Sequence, residues 1–157
     1  MKNKIRAYRS LLIGVLLVVS LAAAGPSYAH GQFLAMDVHV DFDNTFSMVD
    51  AGSGEGPFFV SGEIFAPGTV VDPIGTFLCW GYFGLSGDVV VVSQEYELDG
   101  RGKIQTQGVE DFGEGASRAV VGGTGDFHNV RGQATSVVAT GFGFEIRFAL
   151  IGATGGK

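Results

Sequence analysis

From Phe33 to Phe42 the chain alternates, with Met36, Val38, Val40 and Phe42 apolar and Asp37, His39 and Asp41 polar between them. A period of two is the mark of a β-strand with one covered face and one wet face. Seven further runs rich in Val, Ile, Phe, Thr and Tyr follow, at 58–65, 74–83, 89–98, 103–109, 117–121, 133–140 and 142–150. Each predicts a strand. Turn-forming clusters separate them: Gly52-Ser53-Gly54, Ala66-Pro67-Gly68, residues 84–87, Asp99-Gly100 and Gly122-Gly123-Thr124-Gly125. After the first thirty residues no window of eleven or more keeps an apolar face at helical spacing without a glycine interrupting it.

About eight strands with turns at this spacing define an all-β domain, either a sandwich or a closed barrel. Two features favour the barrel. Glycines recur inside strand patterns, at Gly62, Gly75, Gly81, Gly108, Gly141 and Gly143, where they can serve the bends and bulges that closure requires. Some strands are also apolar on both faces, as in Thr76-Phe77-Leu78-Cys79-Trp80. Such strands need cover inside and outside, which an aromatic-filled barrel packed on neighbouring copies supplies. The expectation is an eight-stranded antiparallel β-barrel, assembled as a homodimer or homotrimer, with a Greek-key sandwich as the alternative.

The first thirty residues obey a different rule. Lys2, Lys4, Arg6 and Arg9 precede an apolar run from Leu11 to Ala24 broken by Ser20 alone, and Gly25-Pro26 and Ser27-Tyr28-Ala29 follow. Basic, apolar and small-residue regions in that order read as a secretory signal peptide over 1–29, cleaved before His30. The expected mature protein is therefore one domain, 30–157, secreted or extracytoplasmic, with no membrane attachment after cleavage. Its 128 residues suffice for a core without covalent staples, as they must, since Cys79 is the only cysteine.

Removing 1–29 leaves six basic residues against sixteen acidic ones, a formal charge of −10. Nucleic acid and anionic surfaces are excluded as partners on that ground. No Lys or Arg occurs between His30 and Gly100, so acids in the first half either face water or look across a closed structure toward Arg118, Arg131 and Arg147.

The segment Arg118-Ala119-Val120-Val121-Gly122-Gly123-Thr124-Gly125-Asp126-Phe127, followed by Arg131-Gly132-Gln133-Ala134, resembles the signature of the allene oxide cyclase and dirigent-like β-barrel superfamily. In that signature a strand ends in a Gly-Gly-(Thr/Ser)-Gly turn, an aromatic follows, and an Arg-Gly or similar pair starts the next strand. Positive φ and close backbone approach explain the glycines, and Phe127 is placed to plug the barrel end. The resemblance implies a bacterial secreted member with an eight-stranded antiparallel barrel around an apolar cavity. It further implies binding of a small apolar molecule, and direction of its cyclisation or stereochemistry without a cofactor, as a cyclase or isomerase. A non-catalytic ligand-binding barrel, and a structural barrel that oligomerises at the cell exterior, stay open beside that reading.

Candidate chemistry is sparse. Asp41 and Asp43 share a strand face, and with Cys79 they match the spacing of the family's pocket acid, amide and cysteine, with the acid shorter and the amide replaced by a carboxylate; Glu95 and Glu97 are the further acidic candidates. The catalytic set expected from the resemblance is thus Asp41, Asp43, Cys79 and Glu95. The ligand-binding set is Phe77, Trp80, Tyr82, Phe144 and Arg147, because a cofactor-free cyclase has only shape, exclusion of water and one or two ionisable groups to work with. Solvated acids and a buried, inert thiol are the plainer reading of the same residues. No nucleophile elbow, phosphate loop or zinc spacing occurs. A calcium loop from Asp41 fails, with Phe46 where glycine is needed and Gly52 where glutamate is needed. Cleavage before His30 would expose a potential copper ligand, but nothing in the spacing joins it to His39 or His128. Neither a metal nor a cofactor is expected.

Overall fold

The computed structural model describes residues 31–48, 54–84, 89–111, 116–138 and 143–152; side chains at 40–44, 89, 111 and 138 are outside the description. The proposed signal segment and the cleavage point before His30 lie outside the described residues.

Eight strands follow one another: β1 (Gln32–Ser47), β2 (Gly56–Phe65), β3 (Gly75–Phe83), β4 (Val89–Leu98), β5 (Gly102–Asp111), β6 (Ser117–Gly123), β7 (Arg131–Val138) and β8 (Phe144–Ile151). Every neighbour in sequence is a neighbour in the sheet, all pairs are antiparallel, and β8 returns to β1 to close the barrel. The closing seam runs from Gln32 opposite Leu150 to Val38 opposite Phe144. Among the described residues the one helical feature is a 3-10 turn at Gly125–Phe127, between β6 and β7. The architecture is an up-and-down barrel, not a Greek-key sandwich.

Closure removes both sheet edges and leaves one inner face, which alternation fills. Met36 and Val38 from β1, Ile64 from β2, Tyr96 and Leu98 from β4, Ile104 from β5, Val120 from β6 and Phe148 and Leu150 from β8 are nearly inaccessible to solvent. Phe127 and Val130, also fully buried, close the end of the barrel at which β6 hands over to β7. There Gly125 has φ +60, and a Cβ on Gly123 would stand 2.5 Å from the Lys103 carbonyl oxygen. Only glycine meets both demands, so the Gly-Gly-Thr-Gly turn folds Phe127 back under the barrel. Arg101 lies over the Phe127 ring at 5.0 Å and pairs with Asp126 at 3.3 Å, holding the plug from outside.

One half of the interior is therefore solid. The other half, toward the connections β1–β2, β3–β4, β5–β6 and β7–β8, is not.

Candidate functional site: an interior cavity with one apolar and one polar wall

A cavity of about 160 Å³ lies in that second half. Its apolar wall comes from adjacent strands: Phe144 and Ile146 on β8, Val38 on β1, Phe58 and Val60 on β2, and Phe77 and Phe83 on β3. Phe58 and Phe83 lean on each other with ring centres 4.8 Å apart, and Phe77 packs on Tyr96 at 5.2 Å beneath them. Opposite, β4 and β5 contribute Gln94 and Glu110, and Cys79 on β3 joins the two walls.

The polar wall is a connected network. Tyr96 Oη donates to Gln94 Oε1 at 2.7 Å, and Thr106 Oγ1 donates to the same oxygen at 3.2 Å. Two donors on Oε1 fix which way the amide points, so Gln94 Nε2 faces Glu110 Oε1 at 3.1 Å and Cys79 Sγ at 3.6 Å. Glu110 Oε1 also accepts from Arg118 Nη1, which forms an ion pair with it and donates to Ser136 Oγ at 3.3 Å. The Arg118 side chain is wholly buried, and its Nε and Nη2 have no hydrogen-bond partner among the described residues. A guanidinium in such a place is tolerable only because a carboxylate lies against it; an interior charge without a partner costs several kcal/mol (about 3–5).

Burial dominates the ionisation of the neighbouring groups. It pushes the Cys79 thiol up to about 12, with the Glu110 charge adding to the effect and the Gln94 hydrogen bond opposing it. Cys79 thus stays a neutral thiol, not a thiolate nucleophile. Burial likewise raises the Tyr96 phenol far above its ordinary value, which keeps it a donor to Gln94.

Several residues expected at the site are elsewhere. Phe77, Cys79 and Phe144 line the cavity. Trp80 and Tyr82 are 42 % and 50 % exposed on the outer face. An odd step along a strand reverses the face, so neither can share a wall with Phe77 on β3. The same rule puts Arg147 outside, paired with Glu145, since Phe144 and Ile146 point inward on β8. Glu95 is also outside, flanked by inward Gln94 and Tyr96. There it accepts from Lys103 Nζ at 2.7 Å and Gln105 Nε2 at 3.0 Å. Those bonds, that from Lys103 foremost, lower its pKa from the ordinary carboxylate value. Asp41 and Asp43 lie on β1, where the backbone of Asp41 pairs with Ser61; their side chains are outside the described residues.

Gln94, Glu110 and Arg118 belong to the site and were not expected there. One signal for Gln94 exists in the sequence: it sits in step with Val92, Tyr96 and Leu98, and opposite in step to Glu95 and Glu97. Among the described residues no group of three or more His, Cys, Asp or Glu is placed to hold a metal ion.

Solved structures share this closed eight-stranded antiparallel fold, a dirigent protein among them. Pyocyanin demethylase superimposes with a TM-score of 0.63 at 16 % identity, over 76 % of this chain and 99 % of that one. A pterocarpan synthase dirigent protein superimposes with a TM-score of 0.57 at 13 % identity, over 82 % and 93 % of the two chains. At such identities the likeness is one of fold. No protein-family description and no curated protein matches the sequence.

Proposed function

We propose that this chain is an exported barrel that binds one small, largely apolar molecule in the cavity between its β8–β1–β2–β3 wall and Gln94 and Glu110, and directs that molecule's cyclisation or stereochemistry without a cofactor. The observation that carries the reading is the asymmetry of the cavity: seven apolar side chains on one side, and a carboxylate held by an amide and a guanidinium on the other. A guest held there meets a shaped aromatic wall and one ionised group, which orients it and shields it from water. Both fold neighbours are named for reactions on small molecules, pyocyanin in one and a pterocarpan in the other, which supports the reading. Glu110, not Glu95, is the acid available to such a guest, and Cys79 contributes a neutral thiol to the wall.

Binding is tested by thermal shift across a panel of small aromatic and alicyclic molecules, with V60W as the blocked control. A ligand at a hundred times its Kd stabilises the protein by about 2.7 kcal/mol. The expected result is stabilisation of the wild type by some members of the panel and none of V60W, since an indole at 60 fills the cavity. Stabilisation of both proteins alike, or of neither, defeats the reading. Export predicts an intact mass for the secreted protein equal to residues 30–157; retention of 1–29 defeats that part alone.

A second reading, a structural barrel that oligomerises outside the cell, is favoured by one specific observation. Tyr82, Val91 and Val109 are paired in register across β3, β4 and β5 and are all half-exposed or more.

A further inference from the structure

The polar wall is incomplete in one direction. Glu110 Oε1 is occupied by Gln94 Nε2 and Arg118 Nη1, while Oε2 takes no hydrogen bond from the described residues, although Glu110 lines the cavity. Gln94 cannot turn to serve it, because Tyr96 and Thr106 hold the amide oxygen in place. An ionised carboxylate accepts hydrogen bonds and donates none. The Glu110 side chain keeps 14 % exposure, so water can reach Oε2 in the empty cavity; a guest that fills the cavity displaces this water and, unless it brings a donor of its own, leaves an ionised acceptor unserved, which is costly.

We propose that the guest carries one O–H or N–H group that donates to the free carboxylate oxygen of Glu110, so that the cavity selects neutral donors over their alkylated analogues and over cations. This rests on the small-molecule reading above and narrows it to a chemical class. Charge decides between donor types. Arg118 already balances Glu110, so a cationic guest would leave the interior with a net positive charge beside a guanidinium, and an anionic guest would face a carboxylate. A neutral hydroxyl or ring N–H satisfies Oε2 and adds no charge. Size sets the body of the guest, since a cavity of about 160 Å³ is close to the ~150 Å³ apolar cavity known to take benzene. A ring of that class therefore lies on Phe58, Phe77 and Phe144 with its donor toward β5.

Calorimetry or NMR titration of the wild-type secreted protein tests this with matched probes: p-cresol against 4-methylanisole, indole against 1-methylindole, and phenyltrimethylammonium. The donors are expected to bind at least ~10-fold more tightly than their methylated partners, the range for a hydrogen bond to a charged group, and the ammonium more weakly than p-cresol. Equal affinities within both pairs, or preference for a methylated or ammonium probe, overturn the inference and leave small-molecule binding standing. Absence of binding by all five probes overturns both. E110Q is expected to narrow the gap within each pair, and E110Q/R118M, which leaves no unpaired guanidinium, to remove it. A gap that persists undiminished in the folded double variant also overturns the inference.

Discussion

Arg118 lies across Gly108: a Cβ at position 108 would stand 3.0 Å from Arg118 Cγ and 3.2 Å from its Cα. The glycine in the middle of β5 thus makes room inside the barrel for the long side chain of the next strand, which passes over it to reach Glu110. Replacing Gly108 by Ala is expected to push Arg118 off this path and destabilise the protein by about 1–3 kcal/mol, the usual cost of forcing a methyl group into a packed interior. Chemical denaturation of G108A checks this; an unchanged midpoint would mean that Arg118 moves aside freely.

The Glu110–Arg118 pair is expected to show strong coupling. Either R118M or E110Q alone leaves a buried polar or charged group without its partner, and each should cost about 3–5 kcal/mol. The double variant should cost clearly less than the two together, because no unpaired charge remains. Denaturant unfolding of the three variants measures the coupling. Additive losses would show that the two residues act independently.

Cys79 makes stability depend on pH at the alkaline end. Its thiol is held protonated up to about 12 in the folded barrel, whereas in the unfolded chain it ionises near its ordinary value of about 8.5. Between those values the unfolded state has lost a proton that the folded state keeps, so stability is fully present below about 8.5 and falls as pH rises, by at most about 1.4 kcal/mol per unit. Tyr96 adds a decline of the same sign above about 10, the ordinary tyrosine range. Comparing wild type with C79A from pH 8 to 10 isolates the thiol: the wild-type curve should be the steeper. Parallel curves would show that the thiol is not protected, and rapid alkylation of the native protein at pH 8 would show the same.

The outer surface predicts assembly. Trp80, Tyr82, Val91 and Val109 are 42 %, 50 %, 62 % and 50 % exposed, on a domain whose other outward positions on β4 and β5 include Glu95, Glu97 and Lys103. An uncharged patch of this kind on an acidic protein is a place where two copies can meet without repulsion. We propose a homodimer or homotrimer through this patch. Sedimentation of the protein should give two or three times the monomer mass and W80E/Y82E the monomer mass, and a monomeric wild type at micromolar concentration would refute the proposal.

Strand positions were legible because each strand's pattern is local. Runs at 58–65, 74–83 and 89–98 correspond to β2, β3 and β4 within a residue or two, and the Gly-Gly-Thr-Gly turn announced both the β6–β7 corner and the plug at Phe127. The harder question was which residues face one another. Alternation says that Phe77 and Cys79 share a face and that Trp80 and Tyr82 share the other. It does not say which of two apolar faces is the inner one, and β3, like the Val89–Val92 start of β4, is apolar on both.

Glu110 and Arg118 show where sequence stops. They stand eight positions apart on neighbouring strands, β5 and β6, amid acids and arginines that mostly face water, and nothing local separates this pair from Glu145 and Arg147. Strand period, turn chemistry and the charge balance are properties of short stretches of chain, and the amino-acid sequence determined them. The choice of inner face, the burial of a guanidinium over a glycine, and the locking of Gln94 by Tyr96 and Thr106 depend on contacts between strands. Only closure of the barrel brings those strands together, and only then does an interior carboxylate gain the partners that make its burial tolerable.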